Sequence, residues 1–312
     1  MFLYKINEDK LNEIKEIPFK KEIELHKLCE SNLENIFGLK FIKREFAFNN
    51  FRLDTLAFDE GSKAFVIIEY KNTSSFSVID QGYAYLSLLL NNKAEFILEY
   101  NENCNMTLKR NDIDWSQSRV IFVSPSFNNY QKESINFKDL PFELWEVKKF
   151  SNNTVYFNNI KPSKTSESIK TITQTNTDTQ TRDVIDEVIV YTEEDHFKNS
   201  SEEIVDIYNK IKEFILSLND NITIKAKKLE IGFVYNNKIM VDIHLKKKAL
   251  KIWLNAKIGA INDSKHLAKD MSKTGHWGNG DYEIQISDDE ELEYIFSLIK
   301  QIYKLKIDVA QI

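Results

Sequence analysis

Residues 51–86 read FRLDTLAFDEGSKAFVIIEYKNTSSFSVIDQGYAYL and are the most informative part of the chain. Two strand-like runs, 51–58 and 64–71, flank the turn Asp59-Glu60-Gly61-Ser62-Lys63. The second run stays apolar until Glu69, the pattern of a strand covered on both faces. Antiparallel pairing about the turn, with Phe58 opposite Phe65, sets Asp54 opposite Glu69. Alternate residues share a face, so Lys71 and Arg52 then join them. A slip of one residue would scatter all four. A helix is expected over 77–91, carrying Gln81 and Tyr85 four residues apart.

Charged groups at the end of so apolar a strand are costly unless they pair or bind metal. Two carboxylates with nearby backbone carbonyls suit a hard cation, Mg²⁺ or Mn²⁺. Lys71 would sit within reach of a water or phosphate oxygen. There it could position or deprotonate the attacking water, or stabilise charge on a pentavalent phosphate. The same residues also fit a second reading: a buried ion-pair network of Asp54 and Glu69 with Lys71 and Arg52, held for structure alone.

Outward from this stretch, residues 19–37 carry a buried helical stripe that Gly38 stops. Strands are expected at 41–48, 95–100, 119–124, 142–147 and 155–160, and a further helix at 129–136. Strands mixed with helices indicate an α/β sandwich. Residues 158–183, rich in Ser, Thr, Asn, Gln and Lys, cannot bury enough surface to offset their ordering entropy. The expected domains are therefore 1–160 and 186–312, joined by a linker at 161–185. The second begins with an amphipathic helix over 204–218. Strands follow at 228–235, 238–244, 249–255 and 282–286, with a hairpin turn at Asn236-Asn237 and a closing helix over 290–305.

Asp54…Glu69-Tyr70-Lys71 resembles the D-x(n)-E-x-K motif of the PD-(D/E)XK nuclease superfamily. Gln81-x-x-x-Tyr85 is similar to the Q-x-x-x-Y motif of its RecB-like branch. Leu53 stands where the family name has proline. The resemblance implies a restriction-endonuclease-like mixed sheet flanked by helices, followed by a smaller α+β domain. It implies a divalent metal at Asp54 and Glu69, catalysis with Lys71, and orientation of substrate by Gln81 and Tyr85. It also implies an upstream glutamate on the first helix; Glu24 and Glu30 both fit by position, and Glu30 is favoured. Phosphodiester hydrolysis, in DNA, is the activity it implies, and the dimers that many such nucleases form put a homodimer among the expected partners. The stretches FVIIEYKNTSSFSVIDQG, DWSQSRVIFVSPSFNNYQ and FELWEV resemble a bacterial family labelled "predicted transport protein". YTEEDHF through GHWGNGDYE is similar to its C-terminal domain of unknown function, which also occurs in modification-dependent restriction proteins and so implies a defence context. A catalytically inactive copy of the fold, binding nucleic acid or a protein partner, is the alternative.

Composition narrows the classes further. Lys+Arg minus Asp+Glu is 42 − 48 = −6, which excludes a histone-like binder but not one basic groove. No apolar run approaches the roughly 20 residues that span a bilayer, so the transport label has no physical support and a cytoplasmic protein is expected. Cys29 and Cys104 are too few for a disulfide framework. No HxxxH or HExxH spacing occurs, and His26 is read as a surface or packing residue.

Two further features remain open. Nine lysines against two acids lie within 221–257, including Lys246, Lys247 and Lys248. They form either a phosphate-contacting face or a lysine-protected strand edge. Arg52 is a second candidate for nucleic-acid contact. In KTGHWGNGD, residues 273–281, His276 and Trp277 belong either to a ligand loop or to a tight turn.

Overall fold

The computed structural model describes residues 2–48, 51–71, 77–137, 139–163, 166–168, 184–273 and 280–310. His276 and Trp277 lie outside them, as does most of the expected linker. The chain forms two compact units, Met1–Val190 and Tyr191–Ile312.

The first unit opens with β1 (Leu3–Asn7), β2 (Lys10–Ile14) and β3 (Glu16–Ile17), then α1 (Glu22–Glu30) and α2 (Leu33–Phe37). The helical stripe over 19–37 is thus broken at Ser31-Asn32. Gly38 ends α2 with φ 67°, a left-handed conformation that costs glycine nothing. Then come β4 (Lys40–Phe48), β5 (Phe51–Asp59), β6 (Ala64–Tyr70), α3 (Val78–Asn91) and α4 (Lys93–Cys104). β7 (Arg119–Ser124), α5 (Asn129–Ser134), β8 (Phe142–Phe150) and β9 (Val155–Ile160) complete the unit's main elements.

The sheet runs β3-β8-β7-β6-β5-β4, with β9 beside β8. The β6–β7 and β7–β8 pairs are parallel, and the rest are antiparallel. This is the expected mixed α/β sheet flanked by helices. Side chains alternate strictly along β6. Phe65 and Ile67 enter the core on the side of α3 and α4, while Val66, Ile68 and Tyr70 enter the core on the side of α1 and α2. That double coverage explains the unbroken apolar run in the sequence.

The strand expected at 95–100 is instead part of helix α4. Phe96 and Tyr100 are its buried residues, one turn apart, while Leu98 between them is exposed. The division between units falls five residues beyond the expected start at 186. Val184, Ile185 and Val188 are apolar and buried in the first unit's core, so the chain leaves that unit only after them.

The second unit contains α6 (Glu193–Phe197), α7 (Glu202–Ser217) and β10 (Thr223–Ala226). β11 (Ile231–Tyr235), β12 (Lys238–Lys246), β13 (Ala249–Leu254), β14 (Lys269–Asp270), β15 (Tyr282–Ile286) and α8 (Leu292–Ala310) follow. The sheet is antiparallel in the order β10-β11-β12-β13-β15-β14. One face packs α7 and α8 through Ile207, Ile211, Ile243, Ile252, Ile295 and Ile299. Asn236 and Asn237 both have positive φ, 49° and 59°, the turn that suits a right-twisted hairpin. Among the described residues, no helix is long and apolar enough to cross a membrane.

One contact sets how closely α3 sits on the sheet. A Cβ added at Gly82 would stand 2.6 Å from a ring carbon of Phe142, and that ring is itself wedged edge-on against Tyr83. Gly to Ala inside a helix ordinarily stabilises by up to ~1 kcal/mol. Here Gly82→Ala is expected to destabilise by about 1–3 kcal/mol through overpacking, measured by urea denaturation.

Candidate active site

The register of the β5–β6 hairpin determines what meets at its open end. Phe58 pairs with Phe65, and the ladder runs back to Thr55 opposite Ile68. The turn holds that register. Asp59 Oδ1 accepts the N–H groups of Gly61 and Ser62, both at 3.0 Å, and Asp59 Oδ2 accepts a bond from Arg119 on β7 at 2.9 Å. The backbone ladder stops at Thr55, one residue short of Asp54. There the Asp54 carboxylate takes over, Oδ2 accepting the Tyr70 N–H at 2.9 Å. The acid is thereby fixed at the carboxyl end of β6.

Glu69 points toward α3 and is surrounded by donors. Its Oε1 accepts from Lys71 Nζ at 2.6 Å and from Gln81 Nε2 at 2.8 Å. Its Oε2 accepts from the Tyr85 hydroxyl at 3.0 Å. Gln81 spends its second amide hydrogen on the Tyr85 oxygen at 2.7 Å, so one helical turn of α3 acts as a clamp on one carboxylate. The Lys71 N–H is itself anchored on the Val123 carbonyl of β7 at 2.9 Å.

Electrostatics show what the arrangement lacks. Burial raises the Asp54 carboxyl above its ordinary range. The Tyr70 N–H and Lys71 oppose that rise, and Glu22 adds to it. Burial likewise raises Glu69, and the charge of Asp54 raises it further. Burial opposes the charge on Lys71, but the hydrogen bond and charge of Glu69, with Asp54 and Glu22, outweigh it, and its pKa is raised. Three acids around one ammonium leave an excess of negative charge. Burial raises the Tyr85 phenol and Glu69 raises it further, so it stays neutral and donates.

His26, read from sequence as a surface or packing residue, lies at this site. It is only 6% exposed and stacks on Tyr70, ring centroids 4.4 Å apart. Its Nε2 is 3.8 Å from Asp54 Oδ2 and 3.8 Å from Glu22 Oε1, too far for a hydrogen bond. Both ring nitrogens are buried without a hydrogen-bond partner. Burial holds the imidazole pKa down against Glu22, Glu30 and Glu69, so a neutral ring presents a free lone pair.

The favoured upstream glutamate is engaged elsewhere. Glu30 Oε1 accepts from the Thr55 hydroxyl at 2.7 Å, and Oε2 accepts from Arg44. Glu24 pairs with Lys149. Glu22 is the α1 acid whose charge is felt by Asp54 and Lys71. The sequence held a signal for this: Glu22, His26 and Glu30 recur every four residues and share one face of the helix. Arg52 turns outward to pair with Glu45 on β4 instead of joining the carboxylates. In the second unit, Lys246, Lys247 and Lys248 are all exposed, at and beside the turn between β12 and β13.

Among the described residues, no three His, Cys, Asp or Glu side chains lie together as a ready-made metal cluster, and Asp54 and Glu69 are the carboxylates available to a divalent cation. The Asp54 charge raises Glu69, Glu22 raises Asp54, and the neutral His26 imidazole has no hydrogen-bond partner.

Comparison with known proteins gives three findings. A Haemophilus influenzae protein (strain ATCC 51907 / DSM 11121 / KW20 / Rd), described as "Uncharacterized protein", is 47% identical over 304 residues, covering 97% of this chain and all of that protein. The family "Domain of unknown function (DUF5655)" matches residues 193–306. Among solved structures, a complex of EndoMS with double-stranded DNA shares 20% identity over 42% of this chain and 47% of its own, at a TM-score of 0.27. A repair endonuclease from Pyrococcus abyssi gives 20% identity over 39% and 45%, at 0.23. The chain thus spans less than half the length of either structure, and scores this low do not establish a shared fold.

Removing one of the repelling charges should steady the metal-free protein. Asp54→Asn keeps an oxygen for the Tyr70 N–H and is expected to stabilise by about 1 kcal/mol at pH 7 in EDTA. A carboxyl whose folded pKa is raised binds its proton more tightly when folded, so the wild type gains stability as pH falls through that value. The advantage of the variant should therefore shrink toward pH ~4, in thermal melts across that range.

Proposed function

The chain belongs to the family of the Haemophilus influenzae protein, and for this chain we propose a metal-dependent nuclease activity: hydrolysis of phosphodiester bonds, in DNA. The observation that carries the reading is the pairing of Asp54 and Glu69, both raised by burial and, for Glu69, by the other's charge, beside an imidazole with no partner. Asp54 and Glu69 would hold Mg²⁺ or Mn²⁺, with water oxygens completing the shell. Such an ion supplies Lewis-acid charge and makes a bound water more acidic.

The chain's own groups do the rest. The Lys71 ammonium, which donates to Glu69, would stabilise charge gathering on the phosphate as water adds and the leaving oxygen departs. Gln81 and Tyr85 hold the Glu69 carboxylate in one orientation. Burial of His26 keeps it neutral, a state in which it can donate an electron pair. Lys246, Lys247 and Lys248 offer phosphate contacts, and Arg52 offers another once released from Glu45. The implied setting is restriction or defence, in the cytoplasm.

The alternative, a nuclease-like module that binds without cutting, draws on one observation. Glu69 already accepts three hydrogen bonds, which a bound ion would have to rearrange. Plasmid cleavage with Mn²⁺, alongside calorimetry of Mn²⁺ binding, separates the two. Cleavage is expected from the wild type and lost in Glu69→Ala together with most of the metal affinity. Lys71→Met should bind Mn²⁺ but cut about 10²–10⁴-fold more slowly. Mn²⁺ binding with no cleavage of any DNA would favour the binding module. Equal Mn²⁺ binding by wild type and Asp54→Ala/Glu69→Ala would remove the proposed site.

A further inference from the structure

The first two strands of the chain form a sheet of their own. β1 and β2 pair with each other in the register Leu3 to Ile14 and Ile6 to Leu11, and with no other strand among the described residues. Period-two alternation then sorts the hairpin into two faces. Leu3 and Ile14 are half-buried on one. The other carries Phe2, Tyr4, Ile6 and Leu11, which are 80%, 44%, 73% and 64% exposed, together with exposed Glu13 opposite Tyr4. An isolated two-stranded hairpin is at best marginally stable in water, and one with a bare apolar face less so.

We propose that this face packs against the same face of a second copy of the chain, making a small two-layer sheet that joins a homodimer. Area supports that occupant. The four side chains leave on the order of 500 Å² per copy in contact with water. A symmetric pair would bury on the order of 1,000 Å², the level at which a specific interface begins. Charge supports it as well. Residues 3–14 carry Glu8, Asp9 and Glu13 against Lys5 and Lys10, a net negative hairpin that nucleic acid and anionic lipid would repel. Glu8, Asp9 and Lys10 lie at the turn, and Glu13, Lys15 and Glu16 lie at the base. A two-fold axis across the hairpin runs the two copies antiparallel and sets each turn, with Lys10, beside the other's Glu13.

The proposal does not depend on the metal site, and its test is run in EDTA so that the two stand or fall separately. Sedimentation equilibrium of the full chain is expected to show a dimer in the micromolar range. Ile6→Glu/Leu11→Glu should weaken it by about 30-fold or more. Ile6→Thr/Leu11→Thr keeps β-propensity while removing apolar surface. It should weaken the dimer too, with an unchanged far-ultraviolet circular dichroism spectrum, and it carries the test if the glutamate pair unfolds. Three results would overturn the proposal: a wild-type monomer throughout the micromolar range, a dimer whose affinity both double variants leave unchanged, or a wild-type monomer that floats with phosphatidylcholine vesicles.

Discussion

Asp54 and Glu69 raise the protonation energy of a buried site at the end of one apolar hairpin, and the surrounding structure holds them there. Buried carboxylates of like charge ordinarily separate, protonate or take up a cation. Here the separation is prevented by three fixed bonds. Asp54 replaces a strand neighbour by accepting the Tyr70 N–H, and Glu69 is clamped by Gln81 and Tyr85. Lys71 neutralises only part of the charge. The proposed metal would relieve the charge that remains, and the double-sided core of β6 offsets the cost of holding it.

The same constraint explains details remote from it. Asp59 binds its own turn and Arg119, and Arg119 also pairs with Glu143 on β8. That network ties the hairpin's closed end to the parallel strands, so the register cannot slip without breaking buried ion pairs. Gly82 lets α3 approach Phe142, which brings Gln81 within reach of Glu69. On the opposite side Tyr70 carries His26 on its ring, so the two helical layers meet at the strand end.

Much of this was legible in the chain itself. The apolar run before Glu69, the turn residues 59–63 and the period of residues 77–91 each specify local structure strongly, and together they set the Phe58–Phe65 register. Residues 95–100 misled because Phe96, Ile97, Leu98 and Tyr100 make a short apolar run that suits either element, and only the buried spacing of Phe96 and Tyr100 distinguishes them. Which acid of α1 faces the site is not written in the local sequence. Three glutamates share that helix, and tertiary partners on other strands, Arg44 and Lys149, decide which are engaged elsewhere. His26 escaped notice because no local pattern reveals that a histidine on α1 will be buried beside Asp54, far along the chain on β5. The hairpin of residues 3–14 was missed because its exposed apolar face follows no rule of a folded monomer.

The most direct measurement is anomalous diffraction from crystals grown with Mn²⁺. The account predicts one strong manganese peak within about 2.2 Å of oxygens from both Asp54 and Glu69, with the His26 ring turned toward it and absent from crystals of Glu69→Ala. Saturating Mn²⁺ that leaves no peak there, with Lys71 still seated on Glu69 and the imidazole nitrogens still without partners, would contradict it.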